Sequence, residues 1–141
     1  MFIGEYNHSM DDKGRLAIPA KFRVSLRGGA VVAKGLDNCL VIYPKKEWEK
    51  LATKISSLPF NKKNDRTMAR FILAGATEAD FDNQGRITLP DYLRSFAKLH
   101  KKAVIAGLYS RLEIWDESAW NKYKTSTERQ TNQIAEALGE I

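Results

Sequence analysis

The sequence has little of the chemistry on which most enzymes and metal proteins depend. Cys39 is the only cysteine, which excludes an internal disulfide and argues against a cysteine-based metal cage. His8 and His100 are the only histidines, and they lie far apart, outside any triad pattern. No phosphate-cradling loop, nucleophile elbow or zinc pattern occurs. The sequence therefore predicts no catalytic residue, no metal site and no cofactor.

Long hydrophobic runs are also missing. No apolar stretch approaches the ~18 residues that a membrane span needs. Residues 1–5 carry an acid where a signal peptide would have basic residues, and no long apolar core follows. We therefore expect a cytoplasmic protein.

What the chain does have is positive charge. Its 23 Lys and Arg against 17 Asp and Glu give a net charge of +6, which favours a polyanionic partner. Residues 1–75 hold fourteen basic and seven acidic residues (+7), and residues 76–141 hold nine and ten (−1). The first half is the better candidate to face phosphate, although charge alone does not establish such a partner.

The most informative stretch is residues 11–23, which returns as residues 82–94 with Asp, Gly, Arg, Pro and Arg at the same spacing. Asp-x-x-Gly-Arg predicts a tight turn, because the Asp side chain accepts from nearby backbone amides and Gly tolerates positive φ. Short strands should follow, ended by Pro19 and Pro90, which also suit the start of a helix.

The repeat continues beyond this motif with a shift of one residue. The matched pairs are Val32 and Val104, Gly35 and Gly107, Leu36 and Leu108, Leu40 and Leu112, Ile42 and Ile114, and Trp48 and Trp120. Two copies of about seventy residues do not make a solenoid, which needs three or more short units. The pattern indicates two tandem modules that form an intramolecular pseudo-dimer.

The local patterns divide the chain into modules and connections. We expect a strand within residues 1–10 to pair with the strand after the first turn, and 77–81 to do the same before the second, so that each motif lies at a hairpin bend. The expected divisions are a first module (1–56), a helical connection (57–76), a second module (77–124) and a polar tail (125–141). The tail should form a marginal helix or fray.

Arg15 and Arg86 are the leading candidates for a binding role. A long cationic side chain just past each bend could fork onto guanine edges or phosphates. An arginine that merely solvates an exposed turn is the alternative, but recurrence in both copies favours function. Lys13 adds a cation to the first bend, and Gln84 replaces it in the second.

The other repeated polar and aromatic residues have simpler explanations. Arg23 and Arg94 either reach phosphate or pair with a carboxylate such as Asp11 or Asp82, and the ion pair is favoured. Turn capping explains these two Asp residues better than a metal or acid–base site does. Core packing explains Trp48, Trp115 and Trp120 better than base stacking, and Cys39 should be a small core residue.

Together these motifs resemble the MraZ family. The resemblance rests on both copies of the Asp-x-x-Gly-Arg motif, on Met-Phe-x-Gly-Glu-Tyr at residues 1–6, and on Ala-x-Glu-x-Asp-Phe-Asp-x-Gln-Gly-Arg at residues 76–86. It covers the chain to about Trp120. It implies a mainly β fold with flanking helices (α+β), built from two swapped-hairpin, AbrB-like β-barrel modules.

The resemblance also implies a function. The resemblance implies a regulator, in this family usually a repressor, that forms rings and binds direct repeats in its own promoter region, upstream of the division and cell-wall gene cluster. The DNA-contacting motif of the family corresponds here to Lys13, Gly14, Arg15, Gly85 and Arg86. Gln84 in place of a lysine leaves open whether both bends contact DNA equally. A nucleoid-associated, DNA-binding, ring-forming regulator is therefore expected.

Two other classes of function remain as alternatives. The swapped-hairpin fold also serves antitoxins, in which the tail captures a partner protein, but residues 125–141 are short and weakly apolar. A metal-dependent hydrolase that uses the Asp-rich bends would need a ligand set for which the sequence offers no recognisable spacing.

Overall fold

The computed structural model describes residues 1–140. The strands are β1 (Phe2–Ser9), β2 (Arg15–Ala17), β3 (Ala30–Lys34), β4 (Leu40–Pro44), β5 (Thr77–Ala79), β6 (Arg86–Thr88), β7 (Lys102–Tyr109) and β8 (Leu112–Asp116). The α-helices are α1 (Ala20–Arg23), α2 (Lys45–Ser56), α3 (Lys63–Ala69), α4 (Asp91–Phe96), α5 (Glu117–Glu128) and α6 (Thr131–Leu138). Within this part of the chain, no helix is both long and apolar enough to cross a membrane.

The strands form two antiparallel sheets, and each sheet contains strands from both copies of the sequence repeat. Six strands make a large sheet in the order β1-β7-β8-β4-β3-β5, and β2 pairs with β6 in a separate two-stranded ribbon, called here the β2–β6 ribbon. The prediction that β1 pairs with β2 is therefore wrong, as is its counterpart for β5. β1 pairs with β7 of the second copy, and β5 pairs with β3 of the first.

Strand length accounts for the partner that β1 adopts. β2 has three residues and could satisfy only part of the backbone of the eight-residue β1, whereas β7 also has eight. All eight residues of β1 are paired, from Phe2 opposite Tyr109 to Ser9 opposite Lys102. The eight-residue partner allows a hydrogen-bonded ladder along the whole of β1, which a three-residue strand cannot provide.

The two copies are related by a pseudo-two-fold axis. Val41 lies opposite Glu113 where β4 meets β8, and Leu16 lies opposite Ile87 in the β2–β6 ribbon. Each pair joins positions that are equivalent in the sequence repeat. The chain is thus the predicted intramolecular pseudo-dimer, and its tandem swapped-hairpin fold is confirmed.

A single hydrophobic core lies between the large sheet and the β2–β6 ribbon. Both copies contribute equivalent side chains, including Leu16 with Ile87 and Phe22 with Leu93, each at most 1% exposed. Full burial of one such side chain stabilises the fold by roughly 1.5–3 kcal/mol. Neither copy has this core alone, because half of its lining comes from the other.

A smaller apolar cluster covers the opposite face of the large sheet. It contains Cys39, Val41 and Trp115, with Trp120 of α5 packed against it. The Trp120 indole donates from Nε1 to Glu5 Oε1 at 2.8 Å, and Lys124 Nζ lies 3.1 Å from the other oxygen of the same carboxylate. α5 is thereby attached to β1.

The predicted packing roles of the tryptophans and Cys39 agree with the structure. Trp115 is 5% exposed, and Trp48 packs on Tyr43 at 5.8 Å between ring centroids. Cys39 is fully buried, and burial raises the pKa of its thiol to about 12. Trp115 and Cys39 are thus core residues, and the partly exposed Trp48 and Trp120 pack on aromatic neighbours.

The segment between the copies packs against the rest of the fold. α3 continues into a π-helical turn at Arg70–Ala74, and Phe71 in that turn meets Phe96 of α4 edge-on at 5.6 Å. By contrast, α6 has no buried residue, and its apolar Ile134 and Leu138 are exposed.

Candidate nucleic-acid interface

The first repeated motif forms the tight turn that its residues predict. Asp11 Oδ1 accepts hydrogen bonds from the backbone N–H groups of Lys13 and Arg15 at 3.0 and 2.9 Å. The Gly14 amide donates to the Asp11 carbonyl at 3.0 Å, and Gly14 has a φ of +78°. The local sequence alone therefore accounts for the turn.

The second turn reproduces the first almost atom for atom. Asp82 Oδ1 accepts from the backbone N–H groups of Gln84 and Arg86 at 2.8 and 2.9 Å. The Gly85 amide donates to the Asp82 carbonyl at 3.0 Å, and Gly85 has a φ of +76°. The two turns are thus equivalent sites on one molecule.

Arg15 and Arg86 lie on the outward face of the β2–β6 ribbon. Side chains alternate along a strand, and Leu16 and Ile87 point into the core. Arg15 therefore lies on the opposite face, where it is paired with Thr88, and Arg86 is paired there with Ala17. The ribbon brings the two cationic side chains together on one surface.

The sequence suggested that both arginine side chains project outward into solvent. In the structure, each guanidinium instead contacts a carboxylate of its turn. Arg15 Nε lies 2.6 Å from Asp11 Oδ2, and Arg86 Nε lies 2.8 Å from Asp82 Oδ2. Arg86 Nη1 also lies 3.8 Å from Asp11 Oδ2. The arginine side chains are consequently only 34% and 25% exposed.

The carboxylates of the turns remain ionised at neutral pH. The pKa of Asp11 is lowered by the hydrogen bond from the backbone amide of Arg15, with further contributions from the Arg15 side chain and the Lys13 amide. The pKa of Asp82 is lowered in the same way by the backbone amide and side chain of Arg86 and by the amide of Gln84.

Arg23 and Arg94 do not pair with Asp11 or Asp82, so the partners predicted for them are wrong, although Arg94 does form an ion pair with another carboxylate. Arg23 donates from Nη1 to the Ile18 carbonyl at 3.1 Å, and Arg94 donates from Nε to the Leu89 carbonyl at 2.8 Å. Arg94 also forms an ion pair with Asp91.

The reason for this difference is the exchange between copies. A β-carbon on Gly14 would lie 2.7 Å from Arg94 Nε, and one on Gly85 would overlap the guanidinium of Arg23. Each arginine therefore lies over the turn of the other copy. Each helix thus supports the opposite turn, a contact that spacing within one copy cannot reveal.

The five predicted DNA-binding residues fall into two groups. Lys13 is exposed at the tip of its turn, and Arg15 and Arg86 are partly exposed beside it. Gly14 and Gly85 are buried, so they shape the turns and offer little surface of their own. Gln84 is exposed at the position equivalent to Lys13.

Sequence reasoning missed the ion pairs within the turns. Asp and Arg stand four residues apart in both motifs, and this repeated spacing was the available signal. The sequence suggested that these Asp residues cap the turns and pair with Arg23 or Arg94, whereas each pairs with the arginine of its own turn. Across residues 1–140 there is no group of three or more His, Cys, Asp and Glu side chains that could hold a metal ion.

These features define a class: a protein of two tandem swapped hairpins that interlock around a pseudo-two-fold axis and present paired arginine turns. A family model described as "MraZ protein, putative antitoxin-like" matches residues 1–71 and again residues 72–140. The chain belongs to the MraZ family.

Known relatives are similar over almost their whole length. "Transcriptional regulator MraZ" of Halothermothrix orenii is 50% identical over 141 residues, which cover 100% of this chain and 99% of the relative. The proteins of that name from Desulforamulus reducens and Pediococcus pentosaceus are 45% and 49% identical, covering 100% and 98% of this chain and 99% and 96% of theirs. The relatives are named as regulators and not as enzymes, and the general function of the chain is that of a transcriptional regulator.

Proposed function

We propose that the protein is a sequence-specific DNA-binding repressor that reads DNA with the outward face of the β2–β6 ribbon. The observation that carries this proposal is the placement of Arg15 and Arg86 on that same face, diagonally across the two strands, with Lys13 in the adjoining turn. The major groove of B-DNA admits a two-stranded ribbon, and arginine binds guanine O6 and N7 with two hydrogen bonds.

The proposed target is a set of direct repeats in the protein's own promoter region, upstream of the division and cell-wall gene cluster. This part of the proposal rests on the family resemblance, as does association with the nucleoid. The proposed modules are residues 1–56 and 77–124, connected by 57–76 and followed by the tail at 125–141.

Energetics favour binding by several protomers at once. Two good arginine contacts supply about 2–6 kcal/mol of discrimination, whereas specific regulators need about 4–10 kcal/mol over nonspecific DNA. A ring of protomers that engages repeated sites would supply the difference through effective concentration. We therefore propose a ring-shaped homo-oligomer.

Fluorescence anisotropy tests the proposal with a native promoter duplex and a scrambled one, each at two salt concentrations. Arg15→Ala and Arg86→Ala should lose binding to the native duplex. Arg129→Ala is the matched control, because it removes the same charge at the end of α5, away from the ribbon. Equal binding of wild type to both duplexes would refute sequence reading. Equal affinity for one repeat and for several would remove the reason for a ring.

A protein-interaction module of antitoxin type is the second candidate. The exposed apolar side chains of α6, Ile134 and Leu138, favour it, since such residues are common in protein interfaces. Co-purification of a stoichiometric partner that is lost on Ile134→Ser would support this function. Loss of DNA binding in the same variant would argue against it.

A further inference from the structure

We propose that Asp11 and Asp82 are positioning residues for DNA reading, which fix the guanidiniums of Arg15 and Arg86 before DNA binds. This inference rests on the proposed function and deepens it. It gives each carboxylate a task beyond capping its turn. The task follows from how the two oxygens of each carboxylate are used.

The two oxygens have separate partners. Oδ1 of Asp11 accepts only from the backbone amides of the turn, and Oδ2 accepts from Arg15 Nε at 2.6 Å. Asp82 divides its oxygens in the same way, with Oδ2 2.8 Å from Arg86 Nε. Because the turn needs only Oδ1, the contact to Nε has no part in forming the turn.

The contact to Nε leaves the reading end of each arginine free. A guanidinium has five N–H donors, and one of them, on Nε, is used by the carboxylate. In the part of the chain that the structure describes, no hydrogen bond occupies the terminal nitrogens of Arg15 or Arg86, and the one ion-pair contact to them, from Arg86 Nη1 to Asp11 Oδ2, is 3.8 Å long. A bidentate contact to guanine needs two N–H donors. An arginine already held in place also loses less rotamer freedom on binding.

The charge of the same carboxylates acts against DNA binding. An ionised Asp on a surface that faces phosphate repels the DNA and weakens nonspecific binding. Replacement by a neutral residue should therefore strengthen binding to any duplex if the carboxylate only caps its turn. If it positions the arginine, the same replacement weakens binding to the native duplex. The two explanations predict opposite signs.

The two carboxylates are not equivalent. Asp11 Oδ2 lies near both arginines, 2.6 Å from Arg15 Nε and 3.8 Å from Arg86 Nη1. Among the ion pairs of residues 1–140, Asp82 meets only Arg86. Loss of the Asp11 carboxylate should therefore release both reading side chains, whereas loss of Asp82 should release one.

Substitution by asparagine separates the two tasks. Asn keeps an oxygen that can accept from the turn amides, but its NH2 group cannot accept from Nε. Asp11→Asn and Asp82→Asn are compared with Asp12→Asn. This control removes the same charge from an exposed neighbour that makes no ion pair within the described residues. The dissociation constants for native and scrambled duplexes are measured by anisotropy.

We expect Asp11→Asn to lower the ratio of native to scrambled affinity by about tenfold, and Asp82→Asn to lower it less. Affinity for the scrambled duplex should stay equal or rise. Asp12→Asn should leave the ratio unchanged. Equal ratios for Asp11→Asn and Asp12→Asn would overturn the positioning role while leaving DNA reading intact. A wild type without preference for the native duplex would overturn the proposed function itself.

A second measurement uses only the wild-type protein, so its result does not depend on whether a variant folds. In the NMR spectrum of free wild type at neutral pH, the Nε–H signals of Arg15 and Arg86 should be protected from solvent exchange. The signal of Arg129, which makes no ion pair in the described chain, should exchange rapidly. Equally rapid exchange at all three arginines would also overturn the inference.

Discussion

Gly14→Ala is predicted to destabilise the fold, although it adds a single methyl group. Gly14 has a φ of +78°, a conformation that costs an L-residue roughly 1–2 kcal/mol. The new β-carbon would lie 2.8 Å from the Leu89 carbonyl oxygen and 2.7 Å from Arg94 Nε. The backbone oxygen cannot rotate away, because the Leu89 amide is itself bound to the Gly14 carbonyl at 2.8 Å.

The magnitude follows from these contacts. Loss of the hydrogen bond from Arg94 to Leu89 adds about 1.5–3 kcal/mol, as expected for a charged donor. Restriction of the unfolded chain by alanine offsets about 0.4–1 kcal/mol. We expect a net loss of about 2–4 kcal/mol, which corresponds to roughly 6–12 °C in Tm for a chain of this size.

Urea denaturation with linear extrapolation measures the effect, and an unchanged m-value confirms that only stability has changed. Gly28→Ala is the matched control, because a β-carbon there meets nothing within 4 Å. It should leave stability unchanged or raise it. The stability of Gly85→Ala should fall between those of Gly14→Ala and Gly28→Ala. The three atoms nearest to a β-carbon on Gly85 belong to the flexible side chain of Arg23 and not to the backbone. A Gly14→Ala protein as stable as Gly28→Ala would refute the reasoning.

Two further predictions concern ionisation. Asp11 and Asp82 have pKa values below the ordinary 3.8, so they stabilise the fold above that pH, and this stability is lost as pH falls through the lowered values. The urea midpoint of wild type should drop more steeply between pH 5 and about pH 2.5 than that of Asp82→Asn, and equal slopes would contradict this. Cys39, whose pKa is about 12, should resist thiol reagents in the native protein at pH 8 and react after unfolding; rapid native labelling would contradict its burial.

Local structure was largely predictable from the sequence because its causes are local. The turns after Asp11 and Asp82 follow from side-chain capping and a glycine at positive φ. The strands and helices that follow each turn were also expected, as was the pseudo-dimer. Residues within a few positions of each other determine the turns, strands and helices, whereas the pseudo-dimer was indicated by the repeat of about seventy residues.

The partners of the strands and arginines could not be predicted in the same way. β1 pairs with β7, about a hundred positions away, and spacing within one copy carries no record of that choice. Arg23 and Arg94 were assigned to nearby carboxylates, but the exchange places each over the opposite turn.

The pairing of β1 with β7 has a consequence for how the chain is made. Synthesis proceeds from the N-terminus, so β1 leaves the ribosome long before its partner at Lys102–Tyr109 exists. Folds dominated by such distant pairings form slowly. Until then, the first half of the nascent protein carries an open strand edge, to which another unfinished copy can bind. Translation speed over the second half therefore sets how long each new molecule is exposed to misassembly.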